Sequence, residues 1–240
     1  DISIPTGVTL TLGGTIKSIS DGASPTKYTQ TYSTAVTLSA DADFQGSSVT
    51  FGDTVNGGVS FKVSGNGEFS GTIGGTTAPS AITVTGTTKI NTAVIKSSGN
   101  QTYTGAVTIG EQNTTFTSTT GKLNFASTLT GTPTIAAGSS TPHDVTISGN
   151  ADFKGIVSNF NDFSVSGATS INSPAITTTG TQTYTGTVTL NANSTLTASA
   201  ATFKNNILKP STQYLKIIGN VATTSTAKRI EPDFLLNGSL

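Results

Sequence analysis

The chain has 240 residues, no cysteine, and 12 acidic and 12 basic side chains, so its formal net charge is zero. The lack of cysteine excludes disulfides and thiolate chemistry. The zero net charge argues against nucleic acid as a partner, because phosphate binding needs a concentrated basic face. Charged residues make up 10% of the chain, against roughly a quarter in ordinary globular proteins.

Ser and Thr together make up about a third of the chain, and Val and Ile are also frequent. Disordered chains are usually rich in charge and poor in β-branched residues, whereas Val, Ile and Thr suit a pleated sheet. No run of 18 apolar residues occurs, so we expect no membrane insertion of this segment. The chain starts at Asp1 without an apolar signal core, and we expect that any targeting segment has been removed.

Strict alternation of apolar and polar residues is the main secondary-structure signal. In chain order it occurs at 8–12 (VTLTL), 82–85 (ITVT), 145–148 (VTIS) and 163–166 (FSVS). Each run is short and is bounded by Gly, Asn, Ser or Pro, which is typical of many short strands. Since no sustained helical spacing with caps is present, the sequence predicts an all-β protein.

Two further phrases recur between these strands. The triplet Ser-Gly-Asn occurs at 64–66, 98–100 and 148–150, and Gly and Asn are the residues that accept positive φ at least cost, which predicts turns there. A Phe two residues before Gly occurs at Phe44, Phe69 and Phe153. We expect these rings to face the interior.

The longest recurring phrase begins with Gln-Thr-Tyr. It reads QTYSTAVTL at 30–38, QTYTGAVTI at 101–109 and QTYTGTVTL at 182–190. An internal repeat implies one structural unit stacked on copies of itself. Together the phrases divide the chain into segments of roughly 18 to 24 residues, each too small to bury its own apolar face, with a higher-order repeat of about four segments.

These patterns predict a parallel β-solenoid of roughly eleven coils, in which Phe and Val-x-Ile face inward and Thr and Ser face water. We place the coils at 1–200, with internal repeats from about 30, 101 and 182. Residues 201–240 lose the repeat phrases and carry Lys and Arg, which predicts less regular terminal coils or a charged cap. An antiparallel β-sandwich is the rival architecture, since it also has short strands at regular spacing.

Three phrases resemble the β-strand repeats of large bacterial surface proteins related to filamentous haemagglutinin and autotransporter passengers. They are QTYTGxVTL, VTFGDTVNGG at 49–58 and SGNADFKG at 148–155, and the resemblance covers about 28–196. It implies a right-handed parallel β-helix that is secreted to the surface of a Gram-negative-type cell and serves as an adhesin or its stalk. The chain lacks that family's amino-terminal secretion domain and carboxy-terminal barrel, so the resemblance does not indicate an export route.

Carboxylates are the first candidates for chemistry, because carbohydrate-active β-helix enzymes use clustered acids, often with Ca²⁺. Asp41 and Asp43 alternate and would share one side of a strand, with Phe44 on the other. Asp152 occupies the same position before Phe153, which favours a structural role. With Asp162 added, these acids define the carbohydrate-enzyme alternative, but the sparse set predicts that the chain is not an enzyme.

No cofactor or metal site is predicted. His143 is the only histidine, and it cannot form a zinc site without Cys or further His. It follows Pro142 in a predicted turn at 141–144, and a triad with the adjacent Asp144 is disfavoured because neighbouring residues in a strand point apart. Asn-x-Ser/Thr sequons begin at Asn100, Asn113, Asn193 and Asn237, and chance explains them in a chain so rich in Thr.

Tyr32, Tyr103 and Tyr184 occupy one position of the longest repeat. Two interpretations are open: a structural role at the edge of a coil, or an exposed platform for sugar rings or protein partners. In the second case these residues would be a weak surface-binding site.

The sequence thus predicts a non-catalytic adhesin or stalk segment at the bacterial cell surface. Its expected partners are host-cell or bacterial surface proteins or glycans. The alternative is a self-associating fibre or surface-layer component, and a carbohydrate-active enzyme is less favoured.

Overall fold

The computed structural model describes residues 1–17, 28–110, 112–132, 143–210, 212–223 and 234–237. Within these ranges the regular structure is entirely β-strand, and 24 strands form a single sheet. Every strand pairing recorded in this part of the chain is parallel. The prediction of an all-β parallel solenoid is therefore confirmed, and the antiparallel sandwich is excluded for the described residues.

The first twelve strands are β1 (Ile2–Ile4), β2 (Leu10–Lys17), β3 (Thr29–Tyr32), β4 (Val36–Phe51), β5 (Val55–Asn56), β6 (Ser60–Phe69), β7 (Ala81–Val84), β8 (Thr88–Ile90), β9 (Val94–Ser97), β10 (Gln101–Tyr103), β11 (Val107–Ile109) and β12 (Thr114–Phe125). The others are β13 (Leu129–Gly131), β14 (Val145–Phe153), β15 (Val157–Phe160), β16 (Phe163–Val165), β17 (Thr169–Ile171), β18 (Ala175–Thr178), β19 (Thr181–Tyr184), β20 (Val188–Leu190), β21 (Ser194–Phe203), β22 (Ile207–Leu208), β23 (Leu215–Thr223) and β24 (Phe234–Asn237).

The strand register gives each turn three sides. On the first side, Tyr32 pairs with Phe51 and Phe51 with Phe69, and the row continues through Ile90 to Ile109. Successive members are 18 to 21 residues apart in the chain, within the predicted segment length.

The second and third sides follow in the same turn. The second side includes the inward row Val36, Val55, Ile73, Ile95, Phe116, Ile147, Val165, Tyr184 and Phe203. The third side includes the inward row Ile16, Phe44, Val63, Val84, Tyr103, Phe125, Phe153, Ile171 and Leu190.

The solenoid has about nine turns, fewer than the eleven expected. The expectation divided the whole chain into equal coils, including 18–27, 133–142 and 224–233, which lie outside the described residues. At ~4.8 Å per turn, nine turns give a rod on the order of 45 Å long.

Some strands are much longer than predicted, because extended backbone continues around a corner. β4 has 16 residues and contributes to all three sides. Its pairing with β6 shifts register between Gln45 and Ser48. The alternation of apolar and polar residues cannot reveal such long strands, because the alternation stops at a corner where neighbouring residues are both polar.

The interior is a continuous stack of apolar side chains. Phe44, Phe69 and Phe153 are all fully buried, as predicted from their recurring phrase. Aromatic rings of successive turns stack directly: the ring centroids of Phe125 and Phe153 are 5.5 Å apart, with an interplanar angle of 5°. Each buried ring contributes roughly 1.5–3 kcal/mol by removing apolar surface from water.

Glycine is needed at the corners because successive turns lie directly on one another. At the corner between the third and first sides, Gly46, Gly65, Gly86 and Gly105 follow in successive turns. A Cβ added to Gly65 would lie 1.8 Å from the carbonyl oxygen of Gly46, and one on Gly105 would lie 2.4 Å from that of Gly86. Gly65 also has a φ of 146°, which other residues rarely adopt.

The Asn of each Ser-Gly-Asn triplet joins two turns. Its Oδ1 accepts a backbone N–H from the next turn at 2.9 Å, in the pairs Asn66 with Thr87, Asn100 with Lys122 and Asn150 with Ala168. The predicted turns are thus corners of the solenoid, and their Asn side chains satisfy backbone donors that lie outside the regular pairing.

The three Gln-Thr-Tyr copies do not stack on one another. Tyr32 is on the first side, Tyr103 on the third and Tyr184 on the second. The sequence repeat is therefore not a whole number of turns, contrary to the predicted four-coil grouping. The phrase fits any side because each side begins with a strand that follows a corner and directs alternate side chains into the core.

The pairing continues into the carboxy-terminal region. Leu215–Thr223 pairs with the preceding turn, and residues 234–237 pair with 215–218. Lys228, Arg229, Glu231 and Asp233, on which the expected cap partly depends, lie outside the described residues. The capping role of 201–240 stays a prediction.

Candidate binding surface

The structure places the three repeated tyrosines in the core. The exposed fraction is 1% for Tyr32 and 0% for Tyr103 and Tyr184. The interpretation of these rings as a surface-binding platform is therefore wrong. Side chains alternate along a strand, so the Thr and Ser residues that flank the inward rings face outward.

Each of these tyrosines is bonded to the glutamine two residues before it. The Tyr hydroxyl donates to the Gln Oε1 at 2.8 Å for Tyr32 and 3.0 Å for both Tyr103 and Tyr184. The Gln Nε2 in turn donates to carbonyl oxygens of two successive turns; for Gln182 these belong to Ile176 and Thr197, at 3.0 and 2.9 Å. Gln-Thr-Tyr is thus an internal clamp at a corner.

Burial also affects the ionisation of these phenols. Removal from water raises the pKa of Tyr32, Tyr103 and Tyr184 well above the ordinary value for tyrosine. The hydroxyl therefore stays protonated at physiological pH and remains a hydrogen-bond donor to its glutamine.

Hydroxyl side chains cover much of the outer surface. On the second side, five successive members of one outward row are Thr or Ser: Thr115, Thr146, Ser164, Thr183 and Thr202. Adjacent members lie one turn apart, ~4.8 Å. This row is a flat uncharged strip, and we call it the hydroxyl strip.

The candidate carboxylates Asp41 and Asp43 point outward, as predicted, with Phe44 buried behind them. Asp41 Oδ1 accepts the backbone N–H of Ser60 in the next turn at 2.7 Å. Asp43 forms an ion pair with Lys62 at 3.0 Å. Both acids therefore join successive turns.

The pKa of Asp43 reflects two opposing effects. Partial burial of the carboxylate raises the pKa, but hydrogen bonds from Gln45, Ser64 and Lys62, together with the lysine charge, outweigh it and lower the pKa below the ordinary value. Asp43 is therefore ionised at neutral pH, as an ion-paired structural carboxylate should be, and it is a poor proton donor.

Asp152 and Asp162 have similar structural partners. Asp152 accepts a hydrogen bond from Asn172 Nδ2 at 2.6 Å and lies 3.7 Å from Lys122 Nζ. Asp162 Oδ1 accepts the backbone N–H of Thr181 at 2.6 Å. All four candidate acids thus bond across turns.

His143 is half-buried, while 141–142 of its predicted turn lie outside the described residues. Asp144 Oδ1 accepts from Asn161 Nδ2 and from the backbone N–H of Asp162, both at 3.0 Å. These bonds tie the carboxylate to the next turn. In the described part of the chain, no group of three or more His, Cys, Asp or Glu is placed to hold a metal ion.

A shallow cleft of about 510 Å³ lies at the corner between the third and first sides. Three successive turns line it with Gln45, Gly46, Ser47, Ser64, Gly65, Asn66 and Thr85. Sequence reasoning interpreted 64–66 only as a turn and missed this cleft. The available signal was the alignment of Gly46 with Gly65, which leaves the corner without side chains, but it requires the register of the coils.

No protein-family model matches the chain, and no curated protein or solved structure matches it. Of the expectations that the resemblance to bacterial surface repeats implied, the structure shows the solenoid of stacked parallel strands. Among the residues that the structure describes, no helix is long and apolar enough to cross a membrane.

Proposed function

We propose that this chain is a non-catalytic segment of a secreted bacterial surface protein, either an adhesin or the stalk of one. One observation carries the proposal: a long parallel solenoid whose outer surface presents rows of hydroxyls such as the hydroxyl strip. A rod of stacked turns offers contacts along its length. The repeat phrases at 101–109 and 148–155, which resemble those of surface adhesins, support the same assignment.

The proposed partners are proteins or glycans on host cells or neighbouring bacteria. Polar, uncharged surfaces bind through many individually weak hydrogen bonds, and several copies on one cell raise the overall strength of attachment. The proposal does not include nucleic acid, membrane insertion, a cofactor or a metal.

The test is attachment of the fluorescently labelled chain to epithelial monolayers and to bacterial cells. We expect saturable binding to at least one of these, and weaker binding when Thr146, Ser164 and Thr183 are replaced together by Asp. A matched control replaces the outward residues Thr83, Thr102 and Thr189 of the third side by Asp. No binding to any of the cells would contradict the proposal.

Self-association is the second candidate. In the first turn Ile4, Leu10, Leu12 and Ile16 are only partly buried, whereas their counterparts in the next turn, such as Phe44, are enclosed. A second copy, or further turns of the same chain, would cover them. Sedimentation velocity over a hundredfold concentration range tests this candidate, since a fibre component should form larger species without any ligand.

A carbohydrate-active enzyme is the less favoured alternative. What weighs against it is the distribution of Asp41, Asp43, Asp152 and Asp162, which bond to neighbouring turns instead of facing one another across a cleft. If a hydrolase or lyase activity were found, replacing all four by Asn should abolish it. Unchanged turnover in that variant would rule out these residues as its catalytic acids.

A further inference from the structure

We propose that the cleft between the third and first sides binds a neutral oligosaccharide. The inference rests on the proposed adhesive function and identifies a ligand class and a place for it. The volume of about 510 Å³ is within the range of small-molecule sites. Because the cleft extends over three turns, it spans two inter-turn distances, ~10 Å along the rod, which suits two linked sugar rings.

The lining has a particular chemical character. Its side chains are amides and hydroxyls, from Gln45, Ser47, Ser64, Asn66 and Thr85. None of them is charged or has a large apolar group. Asp43 accepts hydrogen bonds from Gln45 and Ser64 of the lining and is paired with Lys62 at 3.0 Å. A charged ligand would therefore find no unpaired counter-ion in the lining.

The structure fixes the orientation of two hydroxyls at this corner. Ser64 Oγ donates to Asp43 Oδ1 at 2.8 Å, and Ser47 Oγ donates to the carbonyl oxygen of Tyr28 at 3.0 Å. Since each hydroxyl has only one proton, both oxygens present lone pairs to a ligand. These two positions are therefore preorganised acceptors.

The amides add complementary groups. Asn66 uses Oδ1 to accept from Thr87 at 2.9 Å, and within the described ranges its Nδ2 has no recorded partner. Gln45 uses Nε2 to donate to Asp43 at 3.0 Å, and its Oε1 has no recorded partner in those ranges. The cleft thus combines fixed acceptors with an available donor.

A sugar matches this arrangement because each of its hydroxyls both donates and accepts a hydrogen bond. The amides and fixed hydroxyls of the lining can meet both functions of each sugar hydroxyl. An anionic glycan would leave its charge without a basic partner in the lining, which disfavours binding. The structure therefore favours neutral over acidic sugars.

The test uses isotopically labelled protein and nuclear magnetic resonance titration. The probes are cellohexaose, maltohexaose and N-acetylchitohexaose, with a hyaluronan hexasaccharide as the acidic comparison. We expect at least one neutral probe to shift the side-chain amide signals of Gln45 and Asn66, and to bind more tightly than hyaluronan. No shift with any neutral probe, or tighter binding of the acidic one, would overturn the inference.

Two matched variants separate a binding role from a structural one. Asn66→Ala and Asn150→Ala each remove one inter-turn bond of 2.9 Å, but only Asn66 lines this cleft. We expect Asn66→Ala to weaken sugar binding about tenfold, the effect of one lost hydrogen bond, and Asn150→Ala to leave it unchanged. Equal effects of the two variants would overturn the inference.

The cell-attachment assay distinguishes the two proposals. If the wild type attaches to cells but no neutral probe shifts the Gln45 and Asn66 signals, the cleft inference fails and the adhesive function stands. If the wild type attaches to no cell while a neutral probe shifts those signals, the adhesive function fails and the cleft stands as a sugar site.

Discussion

The side-chain oxygen of Gln101 accepts the hydroxyl of Tyr103 at 3.0 Å inside the solenoid. The same glutamine donates through Nε2 to the carbonyl oxygen of Thr117 at 2.8 Å. Both side chains are fully buried. A polar pair in this setting stabilises the fold only while every group is bonded, because an unbonded buried polar group costs about 1–3 kcal/mol.

We predict that Gln101→Leu lowers the free energy of unfolding by about 3 kcal/mol, since it leaves Tyr103 Oη and a corner carbonyl without partners. Adding Tyr103→Phe removes one of these groups and should restore about 1 kcal/mol. Urea denaturation measures both values. The control Thr104→Ala, at an exposed position, should change stability by less than about 0.5 kcal/mol. A loss from Gln101→Leu no larger than the control's would refute the clamp.

Phe153→Ala should lower the free energy of unfolding by about 3–5 kcal/mol, as expected for an enclosed ring. Phe153 is 0% exposed, and its ring centroid lies 5.5 Å from that of Phe125 and 5.4 Å from that of Phe163. Ile156→Ala is the control, because Ile156 is 43% exposed. Thermal and urea denaturation of both variants test this, and a loss below about 1 kcal/mol for Phe153→Ala would be inconsistent with the inward row.

Gly105→Ala should destabilise the protein by about 1–3 kcal/mol through steric overlap. Its added Cβ would lie 2.4 Å from the carbonyl oxygen of Gly86, whereas a Cβ on Gly58 would meet its nearest atom, in Thr77, at 3.8 Å. Gly58→Ala is therefore the matched control and should be neutral or slightly stabilising. Equal melting temperatures for the two variants would mean that the turns do not lie as closely as described.

Stability should fall in alkaline solution above about pH 10, where tyrosine ordinarily ionises. Burial raises the pKa of Tyr103 and Tyr184 in the folded state. Below pH 10 both states are protonated and the contribution is constant. Above it only the unfolded chain loses the protons, so each further pH unit costs about 1.4 kcal/mol per buried tyrosine.

Urea denaturation between pH 8 and pH 11 measures this slope, and the absorbance of tyrosinate reports ionisation directly. The double variant Tyr103→Phe and Tyr184→Phe should have a shallower slope than the wild type, while its other titrating groups are unchanged. Identical slopes would show that these phenols ionise in the folded protein.

The inward residues could be predicted from local alternation. Phe44, Phe69 and Phe153 are buried as expected, because a strand covered on one face by its neighbours alternates apolar and polar residues. The Ser-Gly-Asn turns were also predicted correctly, since few residues other than Gly tolerate the corner backbone.

The location of Tyr32, Tyr103 and Tyr184 could not be decided from alternation. Each is flanked by polar residues on both sides, and its own partner is a polar glutamine, so the local pattern has no apolar neighbour to mark an inner face. Only the register, which brings carbonyl oxygens of two turns within reach of each Gln Nε2, makes the burial of that glutamine favourable.

The sequence by itself determined that this chain forms short β-strands with glycine at the turns and that the strands stack as coils, because composition, alternation and repeats are local properties of the chain. The tertiary structure alone decided which side of the coil each strand occupies, how Asp43 and Asn66 bond to the next turn, and where the corner glycines stack. Those features depend on which residues lie one turn apart, and that distance is 28 residues between Ile4 and Tyr32 but 18 between Phe51 and Phe69. A variable spacing can be established only when the turns are packed on one another.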